Sequence, residues 1–414
     1  MLASVAYPFC VFFQPGVFWP QLADLRPLQI VAVLALLSSI GRKAEYRRMD
    51  ALLHPAIAWM LVFLLVQVVS VYRGGFVLML REFAFWAVYA VFVVVSLRII
   101  TDAASLRRYV WGMICGSTWV IGYGLWSLHA GLDPAAGGRA GAYGMYENHN
   151  DYSFIILQTL PFAYLYLRTE TGLLRRLFLA ASVLLCLVGI FLSLSRGGIL
   201  ALVLQVVLIV AFTMTPRWRL VLLPLVLVVG AAAVSYQYAK RAENQGAGYT
   251  AADAETTRFE LWRAGRKMIE AHPFLGVGSR SFGENAEIYA EISHDNRGKN
   301  AHNTYIDVAA TSGLIGLAAF VLMLRATIRE LRAPASGNAS HPLDDVRKAA
   351  LIAIYTICFR ALLDVKSEDW SFYLLVTIAA TSGAMLRARE PSPPETDAPA
   401  SEGRSETATG TLAT

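Results

Sequence analysis

Apolar runs approaching about 20 residues recur from one end of this chain to the other, the length of helix that crosses about 30 Å of hydrocarbon. Leu52–Val71, Phe83–Ile100, Ile199–Thr213 and Leu314–Leu324 with its flanks are examples. Strands cannot replace helices in these runs, because an open sheet leaves backbone N–H and C=O groups unpaired in lipid. The composition agrees: 56% of the residues are apolar and 16% are charged, against roughly a quarter charged in soluble domains. Length therefore sets the number of spans, and the expected fold is all-α, a polytopic bundle of transmembrane helices.

Spans are expected at residues 3–19, 22–40, 51–71, 83–100, 109–128, 152–167, 177–193, 199–215, 219–237, 304–324, 349–365 and 370–386, twelve in all. Short-loop arginines and lysines orient such a chain, since they stay on the cytoplasmic side. Arg42, Lys43, Arg47 and Arg48 form one cluster, followed by Arg107 and Arg108, then Arg168, Arg175 and Arg176. Arg217 and Arg219 come next, then Arg325, Arg329, Arg332, Arg347 and Lys348. With these spans every cluster falls on one side. Both termini are then cytoplasmic, and residues 72–82, 129–151, 238–303 and 364–369 face outward. Pro8 and Pro15 interrupt the first span, so the first two spans are either complete or one re-entrant pair. The N-terminus lacks a basic leader and an A-x-A cleavage site and is read as a retained span. Residues 1–386 form the membrane domain. The tail at 387–414, rich in Pro, Glu, Ser, Thr and Ala, is expected to be disordered and cytoplasmic.

Other classes lose ground on the same evidence. No basic cluster interleaved with aromatics suggests nucleic acid. Cys10, Cys115, Cys186 and Cys358 all sit in apolar runs without CxxC spacing, which indicates buried thiols and neither a disulfide framework nor a zinc site. Asp-x-Asp is absent, and Asp151, Asp253, Glu255 and Asp295 are scattered, so no metal site is expected.

The segment 238–303 is the long outward connection, and long ordered loops usually carry function. Thr257-Arg258-Phe259-Glu260 reads as a capping box that opens a helix running to His272-Pro273. Phe259, Trp262 and Ile269 share a face, which fits a helix lying along the membrane interface or one packed on its own loop. Pro273-Phe274-Leu275-Gly276-Val277-Gly278 is a tight turn, and short helices are expected within the loop. His302-Asn303-Thr304-Tyr305 closes it, and a histidine there serves either as a general base near neutral pH or as a polar cap. Residues 137–152 carry Arg139 and then a dense polar run, Glu147-Asn148-His149-Asn150-Asp151, entering a span. Ser193-Leu194-Ser195-Arg196-Gly197-Gly198 is a tight outer turn whose arginine either snorkels or binds an anion. Arg360 and Asp364, four apart near an outer helix end, form an expected ion pair, with a binding role for Arg360 open. Cations gathered on one face with a histidine have a use. Guanidinium groups bind phosphate oxygens bidentately, and a diphosphate leaving group needs its developing charge stabilised.

These motifs, in this order, resemble the bacterial O-antigen ligase and polymerase superfamily. The resemblance rests on Arg139 with the following glycine and Asn150, on Ser193-x-Ser195-Arg196-Gly197-Gly198, and on Arg258-x-x-x-Trp262 leading into Pro273-x-x-Gly276-x-Gly278. His302-Asn303-x-Tyr305 followed by Gly313-Leu314-Ile315-Gly316-Leu317 completes it, and it spans most of residues 50–386. It implies an inverting, metal-independent and cofactor-free transfer of a glycan from undecaprenyl diphosphate to an acceptor hydroxyl, at the periplasmic face of the bacterial inner membrane. The acceptor is lipid A-core, another glycan or a protein. By that analogy Arg139, Arg196 and Arg258 hold the diphosphate, and His302 deprotonates or orients the acceptor. Asn148 or Asn150 matches the family asparagine, and together with Asn303 and Tyr305 it shapes the site through hydrogen bonds; Ser195 and, by its position alone, Arg360 are further candidates for binding the substrate. Trp262 anchors its helix or stacks on a sugar. Two other classes stay open. A lipid-linked glycan transporter or flippase predicts midplane charges and half-repeats, whereas a membrane sensor or scaffold makes no demand on the arginine and histidine set.

Overall fold

The structure, a computed structural model, describes residues 2–132, 138–245, 251–333 and 343–388. The expected tail, apart from Arg387 and Ala388, lies outside the described residues. Among those described, all regular secondary structure is helical. The elements are α1 (Ala3–Phe13), α2 (Pro15–Phe18), α3 (Pro27–Ser38), α4 (Arg48–Leu52), α5 (Pro55–Ser70), α6 (Gly75–Ile99), α7 (Ala103–His129) and α8 (His149–Thr169). They continue with α9 (Leu173–Leu192), α10 (Arg196–Thr213), α11 (Pro216–Gln245), α12 (Ala251–Ala271), α13 (Phe282–Tyr289), α14 (Thr304–Arg332), α15 (Asp344–Ala361) and α16 (Trp370–Arg387).

Each apolar run coincides with a helix, and among the described residues five helical segments are long and apolar enough to cross a membrane: Tyr72–Ile99, Leu173–Leu192, Arg196–Thr213, Pro216–Tyr236 and Thr304–Arg332. The others differ for a physical reason. The middle of α8 and nearly all of α16 are buried by protein, so they do not need an apolar surface. By contrast, Leu174 on α9, Leu220 and Val228 on α11, and Phe76 and Val77 on α6 are exposed. An apolar surface of that extent fits lipid contact rather than water.

The beginning is more broken than a pair of complete spans. α1 has 11 residues and stops at Gln14, whose φ of 53° puts it in the left-handed region. α3 has 12 residues and follows Arg26, likewise left-handed with φ 49°. At 1.5 Å per residue neither reaches about 30 Å. α1 is nevertheless held tightly, because Gly112 and Gly116 on α7 let its backbone approach. A Cβ at Gly112 would stand 2.2 Å from the Val5 carbonyl oxygen, and one at Gly116 2.6 Å from that of Phe9. Small residues four apart permit this approach between membrane helices.

Two expected loops contain more helix than the sequence suggests. Residues 75–82 belong to α6, and α11 runs on to Gln245. The helix expected to open at Thr257 is α12, which starts six residues earlier. Glu260 does not close a capping box. Its carboxylate accepts hydrogen bonds from Asn296 Nδ2 at 2.8 Å and Ser293 Oγ at 2.9 Å, and these donors hold its pKa below the usual glutamate value. Leu261, Ala264 and Met268 of α12 are buried against Phe282, Ala286 and Ala310. The helix is thus packed on its own loop and on α14, and Ile269 joins that small core while Phe259 stays exposed.

α14 is two helices in one. Gly313 has φ 71° and ψ −177°, which breaks the helical path. The carbonyls of Ala310 and Thr311 turn outward and accept the N–H groups of Val277 and Gly278, each at 2.9 Å, while Leu314 N donates to Pro273 O at 2.7 Å. The turn that begins at Pro273 is thereby docked into the break. Broken helices in membrane proteins are tolerated where protein satisfies the freed backbone groups.

Candidate active site

Among the helices that begin at one end of the bundle, α8, α10, α14 and α16 each have a start capped by a side chain. Asn148 accepts from Asn150 N at 2.8 Å, Ser195 from Gly198 N at 3.2 Å, Asn303 from Tyr305 N at 3.0 Å, and Asp369 from Ser371 N at 2.8 Å. Capping satisfies orphan N–H groups, and the four N-termini carry the positive ends of their helix dipoles. α9 and α15 end here. The basic clusters lie at the other end, where Glu170 meets Arg107 at 3.3 Å and Glu330 meets His54 at 3.0 Å and Arg387 at 3.1 Å.

The centre of the capped end is Asp364, in the connection between α15 and α16. Arg360 Nη2 is 3.2 Å from its Oδ2, His302 Nδ1 is 3.5 Å from its Oδ1, and Lys366 Nζ is 3.9 Å from Oδ2. Burial by itself would raise the Asp364 pKa. The His302 imidazole and the Arg360 charge outweigh it and hold the group below the ordinary aspartate value. Its own carbonyl accepts the Thr304 hydroxyl at 2.7 Å, so the start of α14 is tied to the same turn.

His302 reaches this position through strained backbone. Its φ is 49°, a left-handed conformation costing a non-glycine residue about 1–2 kcal/mol. Its side chain is one-third exposed. Nδ1 faces Asp364, so Nε2 is left for another partner. Leu194, with φ 48°, makes a matching kink in the α9–α10 turn.

Arg360 is 1% exposed, and its Nε and Nη1 have no hydrogen-bond partner among the described residues. A Cβ at Gly197 would lie 3.2 Å from Nη1, so the guanidinium lies against the first turn of α10, which Arg196 opens. Ser195 Oγ donates to Asn150 Oδ1 at 2.8 Å, and Asp151 contacts Lys366 directly. Arg258 Nη2 donates to the carbonyl of Leu363 at 3.4 Å, one residue before Asp364. Arg139 Nε donates to the Ser193 carbonyl at 3.1 Å.

The expected residues therefore divide. His302, Arg360 and Arg258 meet at the Leu363–Asp364 turn, Asn150 and Ser195 pair with each other, and Arg196 and Arg139 lie on adjoining turns. Asn148 and Asn303 are helix caps. Of the two candidate asparagines, Asn150 faces Ser195, and His149 is engaged on the Ala140 carbonyl at 3.2 Å. Tyr305 donates its hydroxyl to the Cys358 carbonyl at 3.1 Å, and Trp262 its indole N–H to Ala301 O at 2.9 Å. Trp262 thereby braces the backbone beside His302, and Tyr305 ties α14 to α15. Asp151, read from sequence as a scattered acid, is the partner of Lys366. Lys366 belongs to no motif, and its signal in the sequence is that Asp364-Val365-Lys366-Ser367-Glu368-Asp369 is unusually charged for a short connection between two apolar runs.

Residues 181–321 match the family model of the O-antigen ligases, about a third of the 414-residue chain. Over this segment the chain is similar to the O-antigen ligase superfamily. The O-antigen ligase match takes in Ser195, Arg196, Arg258, Trp262, His302, Asn303 and Tyr305, and ends within α14. Arg139, Asn150, Arg360 and Asp364 lie outside the O-antigen ligase segment and are joined to it by the contacts above. Comparison with curated proteins finds no match to the chain.

Proposed function

We propose that this membrane protein transfers a glycan from undecaprenyl diphosphate to an acceptor hydroxyl, as an O-antigen ligase or polysaccharide polymerase. The observation that carries the reading is the placing of His302 on Asp364, with Arg360 and Arg258 at the same turn. His302 Nε2 takes the acceptor proton as the acceptor oxygen bonds to the anomeric carbon on the side opposite the diphosphate. The carbon–oxygen bond to diphosphate breaks, and the leaving group takes the electron pair, which inverts the anomeric centre. Asp364 holds the imidazole and stabilises its charge. Arg139, Arg196 and Arg258, with the four helix N-termini, receive the diphosphate without a metal.

The topology belongs to the same proposal. Ten segments between residues 51 and 386 cross the inner membrane, α1 and α3 form the re-entrant pair, the basic end is cytoplasmic, and residues 238–303 with His302 face the periplasm. Labelling of His302→Cys from outside the cell tests this placement. The activity is tested with purified protein and undecaprenyl-diphosphate glycan, where His302→Ala and Arg258→Ala are expected to abolish transfer while inserting normally. Near-normal turnover by either variant would count against the mechanism. Surface glycans of a deletion strain name the acceptor: lipid A-core without polymer means ligase, single repeats mean polymerase, and an unmodified protein means O-glycosyltransferase.

A further inference from the structure

At the basic end, α4 and the start of α5 stand apart from the end of α14 around a cavity of about 760 Å³. That is within the roughly 300–1,000 Å³ of small-molecule sites. Leu53, Pro55, Trp59 and Leu322 form its apolar wall, and Arg325, Arg329 and Arg387 supply its cations. Its carboxylates are Asp50 and Glu330. Glu330 is already engaged, by His54 at 3.0 Å, Arg387 at 3.1 Å and Arg347 at 3.9 Å. Arg325 and Arg329 are different. They lie one turn apart on α14, both exposed, and no described residue pairs with either.

The wall indicates what they serve. Trp59 is partly exposed and continues into exposed Val62 and Leu65 on α5, the helix that packs along α14. In a membrane that strip lies against acyl chains, with the two guanidinium groups at its end, at headgroup level. A tryptophan at that depth is at home in the interface, and basic pockets between membrane helices bind lipid phosphate.

We propose that this cavity binds the phosphodiester of an anionic phospholipid, with Arg325 and Arg329 on the phosphate and one acyl chain along Trp59 and Leu322. The site is separate from His302 and does not depend on the glycan-transfer reading. Guanidinium pairs clasp phosphate oxygens bidentately, and here both are free to do so because Glu330 is neutralised from behind.

Native mass spectrometry of the full chain in detergent, with phosphatidylglycerol titrated in, tests the proposal. Arg325→Gln/Arg329→Gln is expected to weaken retention about tenfold or more, and Arg176→Gln/Arg217→Gln, the same charge loss elsewhere at this end, to leave it unchanged. An equal loss in both variants would reduce the effect to bulk charge and overturn the site. Equally strong retention of phosphatidylcholine would overturn the anionic requirement. Competition by glycerol 3-phosphate or inorganic phosphate at matching concentrations would show a soluble-anion site instead. A photoreactive phosphatidylglycerol should crosslink at Trp59 or Leu322 in the unmodified protein, and crosslinking only elsewhere would sink the assignment without recourse to variants.

Discussion

Nδ1 of His302 stands 3.5 Å from Oδ1 of Asp364, although one residue precedes α14 and the other follows α15. The separation is slightly long for a hydrogen bond. The same carboxylate holds Arg360 through its second oxygen at 3.2 Å. One aspartate therefore fixes both the proposed base and a buried cation.

Asp364→Asn keeps the shape and removes the charge. Glycan transfer in the reconstituted assay is expected to fall on the order of 10²-fold, with the amount of protein in the membrane unchanged. Turnover within about twofold of the parent, small beside a general base's usual contribution, would exclude Asp364 from the mechanism.

Arg360→Met breaks a fully buried ion pair. Removing one partner of such a pair costs about 3–5 kcal/mol, so thermal unfolding in detergent should begin at clearly lower temperature. An unchanged unfolding temperature would mean that Lys366 and His302 suffice to hold Asp364.

The docking of the Pro273 turn depends on glycine at two places. A Cβ at Gly313 would lie 2.1 Å from Phe274 O, and one at Gly276 2.4 Å from the carbonyl carbon of Thr311; both glycines have positive φ. Gly313→Ala and Gly276→Ala are each expected to destabilise by roughly 3 kcal/mol. Gly122→Ala, where nothing lies within 4 Å, should be neutral, and equal effects at all three positions would refute the docking argument.

Stability should depend on acid through Asp364. Its pKa is depressed in the folded protein, so the unfolded chain binds the proton more readily. The stabilisation is complete above the unfolded value of about 3.9 and is lost as pH falls through the lower folded value. Unfolding temperatures measured from pH 7 down to 3 should show this loss in the parent and a shallower one in Asp364→Asn. Parallel curves would remove Asp364 as its source.

Transfer is expected to persist in excess chelator, because arginines and helix N-termini are assigned the leaving-group charge. Inhibition reversed by a divalent ion would replace that assignment with a metal.

Much of this was legible in the residue order. The apolar runs mark the helices because lipid permits no other backbone arrangement, and Arg360 and Asp364, four apart, announce their ion pair by helical spacing. His302 could be singled out with its neighbours, since Asn303 is a local cap. Local patterns also misled: Thr257-Arg258-Phe259-Glu260 resembles a capping box, yet Glu260 binds Asn296 and Ser293, which only folding brings near.

Linear order settles what each segment prefers, because periodicity, caps and hydrophobic length are interactions between near neighbours. It could not say that Asp364 joins His302 to Arg360, that Asp151 meets Lys366, or that the Pro273 turn fills the break at Gly313. Those pairings cross long stretches of chain and depend on how helices pack, and packing is a property of all the surfaces together.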